Sequence, residues 1–142
     1  AAMLNLMRLA RITGNVDYEK KAAAVITAFS GAVGRGPASY SRLMCGLDFA
    51  VGPSYEIVVT GKSGSDATVK MLAAVRQRYI PSRVLLYVPL ADKRAAAVHA
   101  LAPYTKDMKP IDGTATAYVC LNFACKLPTT KIDEMLKNFP TP

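Results

Sequence analysis

The stretch Ala115-Thr116-Ala117-Tyr118-Val119-Cys120-Leu121-Asn122-Phe123-Ala124-Cys125-Lys126-Leu127-Pro128 decides how the second half of this chain folds. It opens as a strand. Ala115, Ala117, Val119 and Leu121 alternate with Thr116, Tyr118, Cys120 and Asn122, and Tyr and Val suit a pleated, half-buried surface. Pro128 cannot prolong a central strand, so the segment closes near Cys125 and two thiols fall at the edge of a sheet. If the strand stayed extended, the Cα atoms of Cys120 and Cys125 would lie about 16 Å apart. A disulfide needs roughly 5.5 Å, so the two pair only if the chain folds back around Asn122-Phe123. Two readings stand: buried, unpaired thiols, as cysteine commonly is, or a thiol site with a redox or ligand role. Thioredoxin-type chemistry uses C-x-x-C at a helix start, and this spacing is different.

Working outward, Arg83 to Val88 reads RVLLYV, a continuous apolar run of the kind buried on both faces of a sheet. Tyr55 to Thr60 is a further strand. Between them Ser65 or Asp66 caps a helix to about Tyr79, with Thr68, Met71, Leu72, Val75 and Tyr79 on its core stripe. Asp92 caps a helix to about Leu101, and Thr130 with Asp133 caps a last one carrying Ile132, Met135, Leu136 and Phe139. The second half therefore reads β-α-β-α-β-α. Strands joined by helices favour parallel pairing and right-handed crossovers. The expectation is an α/β fold, with N-terminal helices packed on a small, three-stranded, mainly parallel sheet.

Everything before Gly52-Pro53 is helical in pattern. Ala1 to Ile12 is apolar almost all round, and Gly14 is its natural left-handed C-terminal residue. Asn15 or Asp17 caps a second helix whose inner stripe is Ala22, Val25, Ile26, Phe29 and Val33. Ser39 caps a third, to about Val51, with Cys45 inside it as a small core side chain. Residues 1–52 are thus a helical segment and 53–142 a small α/β unit, expected to make one compact body. The helical pattern starts at Ala1 with no capping residue and no initiator Met, which reads as a piece of a longer protein.

Composition narrows the function. The 142 residues carry a formal charge of +8, but the cations are scattered, with no dense tract or basic-aromatic signature. That argues for solvated surface charge over nucleic-acid binding. No apolar run approaches the ~18 residues of a membrane span. The three cysteines, Cys45, Cys120 and Cys125, suit a reducing cytoplasm better than a disulfide scaffold.

Thr60-Gly61-Lys62-Ser63 has the look of a phosphate loop, but a Walker loop needs a glycine where Glu56 stands. A weaker anion or nucleotide site remains at Gly61, Ser63, Gly64 and Ser65, between a strand end and a helix start; the alternative is a capped, glycine-rich connection. His99, the single histidine, has no carboxylate one turn away and reads as a satisfied or surface side chain. A zinc site at the cysteines would need two more ligands, and only Cys45 and His99 are on offer. No metal or cofactor is called for.

Three stretches together, LMRLARITGNVDYEKKA, EIVVTGKSGSDATVKML and TAYVCLNFACKLPTT, resemble the C-terminal end of the YyaL-like, thioredoxin-domain-containing family that includes the spermatogenesis-associated thioredoxin-like protein. The ending YVC-x4-C-x-x-P, supplied by Tyr118, Val119, Cys120, Cys125 and Pro128, is its most specific part. The resemblance implies that residues 1–52 end an α/α toroid like those of six-hairpin glycosidases. It also implies that the remainder of the full-length protein, toroid and thioredoxin-like domain, is the partner. By this reading the chain is non-catalytic alone and supports sugar-related or thiol chemistry in the whole protein, with a small sugar or thiol as substrate. The alternatives are a thiol-redox unit using Cys120 and Cys125, or the anion site at Gly61–Ser65.

Overall fold

Three α-helices make the N-terminal unit, Ala1–Ser54, and a sheet with its helices makes the unit that begins at Tyr55; the computed structural model describes residues 1–140. In the first unit, helix α1 (Ala2–Thr13) stops at Gly14, whose φ of 71° is the left-handed turn that only glycine adopts at no steric cost. The Gly14 N–H donates to the Ala10 carbonyl at 2.8 Å. One residue on, Asn15 Oδ1 accepts the Asp17 N–H at 2.9 Å and starts α2 (Val16–Arg35). A 3₁₀ turn, Pro37–Tyr40, leads into α3 (Ser41–Val51), so Ser39 lies inside that turn and does not cap the helix.

Helix α1 buries Met3, Leu4, Met7 and Ala10, and α3 buries Leu43 and Phe49. They touch at Gly46, where a Cβ would come within 3.0 Å of the Leu4 backbone nitrogen. The stripe expected on α2 is only partly covered. Ala22 is buried, whereas Phe29 is 47% exposed and meets Tyr40 at a ring-centroid distance of 6.2 Å. Cys45 is free and exposed, not a core side chain.

The second unit runs β1 (Tyr55–Lys62), α4 (Asp66–Gln77), β2 (Arg83–Leu90), α5 (Arg94–Leu101), β3 (Thr116–Leu121), β4 (Ala124–Cys125) and α6 (Ile132–Leu136). The sheet corrects the expectation of three mainly parallel strands. It has four strands in the order β2-β1-β3-β4 and is mixed. Only β1 and β2 are parallel, in register from Tyr55↔Arg83 to Lys62↔Leu90. Strand β3 pairs antiparallel with β1, from Thr60↔Thr116 to Tyr55↔Leu121, and β4 is antiparallel to β3.

The physical reason lies in the connection after β2. Helix α5 has 8 residues and rises about 12 Å, less than half the ~26 Å run of an eight-residue strand. It does not carry the chain to the far end of the sheet. Two 3₁₀ turns, Pro103–Asp107 and Ile111–Gly113, follow. The chain then re-enters at the end it left, with Thr116 beside Thr60. In the sequence, that helix followed by a proline-bearing loop is compatible with either return.

One face of the sheet, with Ile57, Val59, Ala117 and Val119, packs on Met71, Leu72 and Val75 of α4 and Met135 of α6. Burial of each aliphatic side chain there contributes about 1.5–3 kcal/mol. Tyr79, expected on this stripe, is 82% exposed because α4 ends at Gln77; Ile80 enters the core in its place. Caps are local. Ser65 Oγ accepts the Thr68 N–H and donates to Thr68 Oγ1, and Asp92 Oδ1 accepts the Arg94 N–H at 2.8 Å. Thr129 precedes α6, accepting the Lys131 N–H and donating to Glu134, one residue ahead of the expected Thr130.

Gly61 lets α4 come close to the sheet: a Cβ there would strike Thr68 Oγ1 and lie 3.2 Å from the Ala115 Cα. Gly61→Ala should therefore destabilise the chain by about 1–3 kcal/mol in urea unfolding. Gly34→Ala, with open space around it in α2, should instead gain roughly 0.5 kcal/mol. Equal stability of the two variants would contradict this packing.

Candidate functional site

Strand β3 ends at Leu121, and the next two residues both take positive φ, 48° at Asn122 and 67° at Phe123. A two-residue turn of that kind reverses an antiparallel hairpin. Leu121 comes to face Ala124 and Cys120 to face Cys125, and Lys126 N–H donates to Val119 O at 2.9 Å. Asn accepts the left-handed region readily, but Phe does so at a cost. The Phe123 N–H donates to Glu56 Oε2 at 3.0 Å, a charge-assisted bond of the stronger kind.

The reversal joins the two thiols. Cys120 and Cys125 form a disulfide, S–S 2.02 Å, with Cα atoms 3.8 Å apart, inside the ~4.5 Å usual for a facing pair without ladder bonds. Cys125 does not extend the strand of Cys120; it belongs to the returning strand. The partners differ in access, for Cys120 is 4% exposed and Cys125 lies at the surface.

Glu56 stands beside the pair. The strand registers set Val84, Glu56, Cys120 and Cys125 in one lateral row across the four strands, and facing residues of a sheet project from the same side. Glu56 is 3% exposed. The phenol of Tyr104 feels it: burial first, and the Glu56 charge second, push the Tyr104 pKa up to about 12. Neither Glu56 nor Tyr104 was singled out from the sequence. The readable signal was a lone carboxylate in the apolar strand Tyr55–Thr60, in phase with Val58 and Thr60.

The turn residues proposed to hold an anion do come together, between β1 and α4. Gly61 lies inside β1, one residue before its end, where α4 approaches, and Gly64 has a φ of 74°. Ser65 caps α4, and Ser63 Oγ accepts from Arg94 Nη2 at 3.2 Å. His99 is satisfied through Nδ1, 2.8 Å from Thr105 Oγ1. Among the described residues no group of three or more His, Cys, Asp or Glu could hold a metal ion, and no helix is long and apolar enough to cross a membrane.

Fold and hairpin define a small α/β segment bearing a cross-strand cysteine pair, and the resemblance to the YyaL-like, spermatogenesis-associated thioredoxin-domain family holds over nearly the whole sequence. Across 134 residues, 94% of this chain, it is 31% identical to Spermatogenesis-associated protein 20 of Homo sapiens. The protein of that name in Rattus norvegicus is 30% identical over the same length. The chain spans 17% of the length of each of these relatives. No protein-family model matches it, and no solved structure does.

Replacing Glu56 by Gln removes the charge and keeps the shape. The Tyr104 titration midpoint, read by NMR of ¹³C-labelled tyrosine, should fall from about 12 yet stay above 10, because burial is the larger cause. An unchanged midpoint would mean that the carboxylate charge does not reach the phenol.

Proposed function

We propose that this chain is a segment of a larger YyaL-like, thioredoxin-domain-containing protein and that its hairpin supplies a reversible dithiol/disulfide pair to that protein. The remainder of the full-length protein is its partner, with a thiol as the small co-substrate. The sugar-related chemistry implied by the toroid resemblance belongs to that remainder. The setting is the cytoplasm, where a disulfide is far more often transient than structural.

The observation that carries this reading is the unequal access of two bonded sulfurs, one at the surface and one buried. An incoming thiolate reaches Sγ of Cys125. It forms a mixed disulfide there as the Sγ–Sγ bond breaks, and the electron pair leaves on Cys120 Sγ, which takes up a proton. A second thiolate attacks the sulfur of the first, releasing a small-molecule disulfide and the Cys125 thiol. Two thiols are oxidised and one protein disulfide is reduced; the reverse sequence closes it.

The short span of the cross-link also supports reversibility. With a sequence separation of 5, loop closure contributes only about 2 kcal/mol in the chain-entropy model. The fold then stands in both redox states.

Alkylation followed by mass spectrometry tests the proposal. The oxidised chain should show one reactive thiol, Cys45, and three after mild reduction under native conditions, with an unaltered circular-dichroism spectrum. On a Cys45→Ser background, which removes the other exposed thiol, Cys120→Ser treated with glutathione disulfide should form a mixed disulfide at Cys125 and release glutathione, whereas Cys125→Ser should react at least about tenfold more slowly, because the remaining thiol is buried. A disulfide that resists excess dithiothreitol until the chain unfolds would make the pair purely structural and end this reading.

A further inference from the structure

A cavity of about 420 Å³ opens in the second unit, away from the cysteine hairpin and on the side of the sheet opposite α4. It lies where the parallel strands β1 and β2 end together, with Thr60 on one side and Val88 to Leu90 on the other. The crevice beyond the carboxyl ends of parallel strands is where open α/β sheets take ligands. Its size falls within the range of small-molecule sites.

Two independent features give this cavity a chemistry. The first is charge. Lys106 and Lys109 line it and no carboxylate does, so its potential favours an anion within low-dielectric walls. The second is an unused polar group: Thr60 is buried, and its hydroxyl oxygen has no hydrogen-bond partner, which is uncommon in folded proteins. His99 also lines the cavity, with Nδ1 2.8 Å from the Thr105 hydroxyl.

The remaining walls are apolar, Val88 and Met108 among them. Helix α5 lines the cavity through Ala95, in its first turn, and His99, one turn further on. Ala91, at a φ of 55°, turns the chain sharply out of β2 at the cavity rim. Backbone held in that region by a non-glycine residue recurs at ligand sites.

We infer that this cavity binds a small organic acid, its carboxylate between Lys106 and Lys109 and its apolar body against Val88 and Met108. The site is independent of the cysteine pair and of the Gly61–Ser65 turn.

The test titrates the 142-residue chain with benzoate, with its uncharged counterpart benzamide, and with inorganic phosphate, followed by ¹H–¹⁵N NMR. Benzoate should shift the amides of Thr60, Ala91, His99 and Lys109 saturably at millimolar concentration, and benzamide should bind at least tenfold more weakly. The double variant Lys106→Gln, Lys109→Gln should lose at least tenfold in benzoate affinity and keep its benzamide affinity, with an otherwise unchanged spectrum to show that it is folded. Three outcomes would overturn the inference: no saturable shift at these residues, equal binding of benzoate and benzamide, or phosphate binding there as tightly as benzoate.

Discussion

Strand β1 is bonded along both edges, and the rest of the second unit depends on how those two edges are filled. The parallel edge toward β2 is a product of α4, whose 12 residues rise about 18 Å and, with residues 78–82, return the chain to the starting end. The antiparallel edge toward β3 exists because the next connection turns back on the side it left. A central strand with unlike neighbours has its outward residues presented to two different environments. One face receives α4 and α6 and is apolar across Ile57, Val59, Ala117 and Val119. The other carries Glu56 and Thr60 among Val58, Val84 and Val88, so the buried polar side chains of β1 are confined to it.

That confinement ties the hairpin to the sheet. Glu56 sits inside the ladder yet accepts a bond from the turn beyond the end of β3. A hydrogen bond to a charged group is worth about 1.5–3 kcal/mol net, enough to offset much of the cost of a phenylalanine at positive φ. Reversal of the chain, closeness of the sulfurs and burial of the carboxylate are thus one arrangement seen from three residues.

Much of this was legible in sequence order. Gly14, Asn15, Ser65 and Asp92 announced helix ends that the structure places within a residue or two. The run Tyr55–Thr60 and the alternation through Thr116–Leu121 located both strands. Direction was not legible, because a helix of 8 residues and one long enough to cross the sheet carry the same capping signals. The hairpin was named only as the condition for cysteine pairing and left undecided, for a related reason. Asn122-Phe123 lacks the glycine that marks such turns, and what holds Phe123 in place is a carboxylate 67 residues away in sequence. Glu56 was equally hidden, since its role arises only when β3 lies beside β1. Cys45 and Tyr79 were misplaced because periodicity gives the phase of a helix, not which of its neighbours exist or where its last turn stops.

The open rim of the sheet has a bearing on the behaviour of the chain in solution. Strand β2 ends the order, so one row of its backbone groups faces away from the ladder, along the run Val84-Leu85-Leu86-Tyr87-Val88. Such a border is a template for intermolecular strand addition and for amyloid-like growth. Arg83 at its entrance and Pro89 near its exit act as gatekeepers: one brings charge and the other withholds an amide hydrogen. They leave only the short aliphatic middle able to recruit a foreign strand.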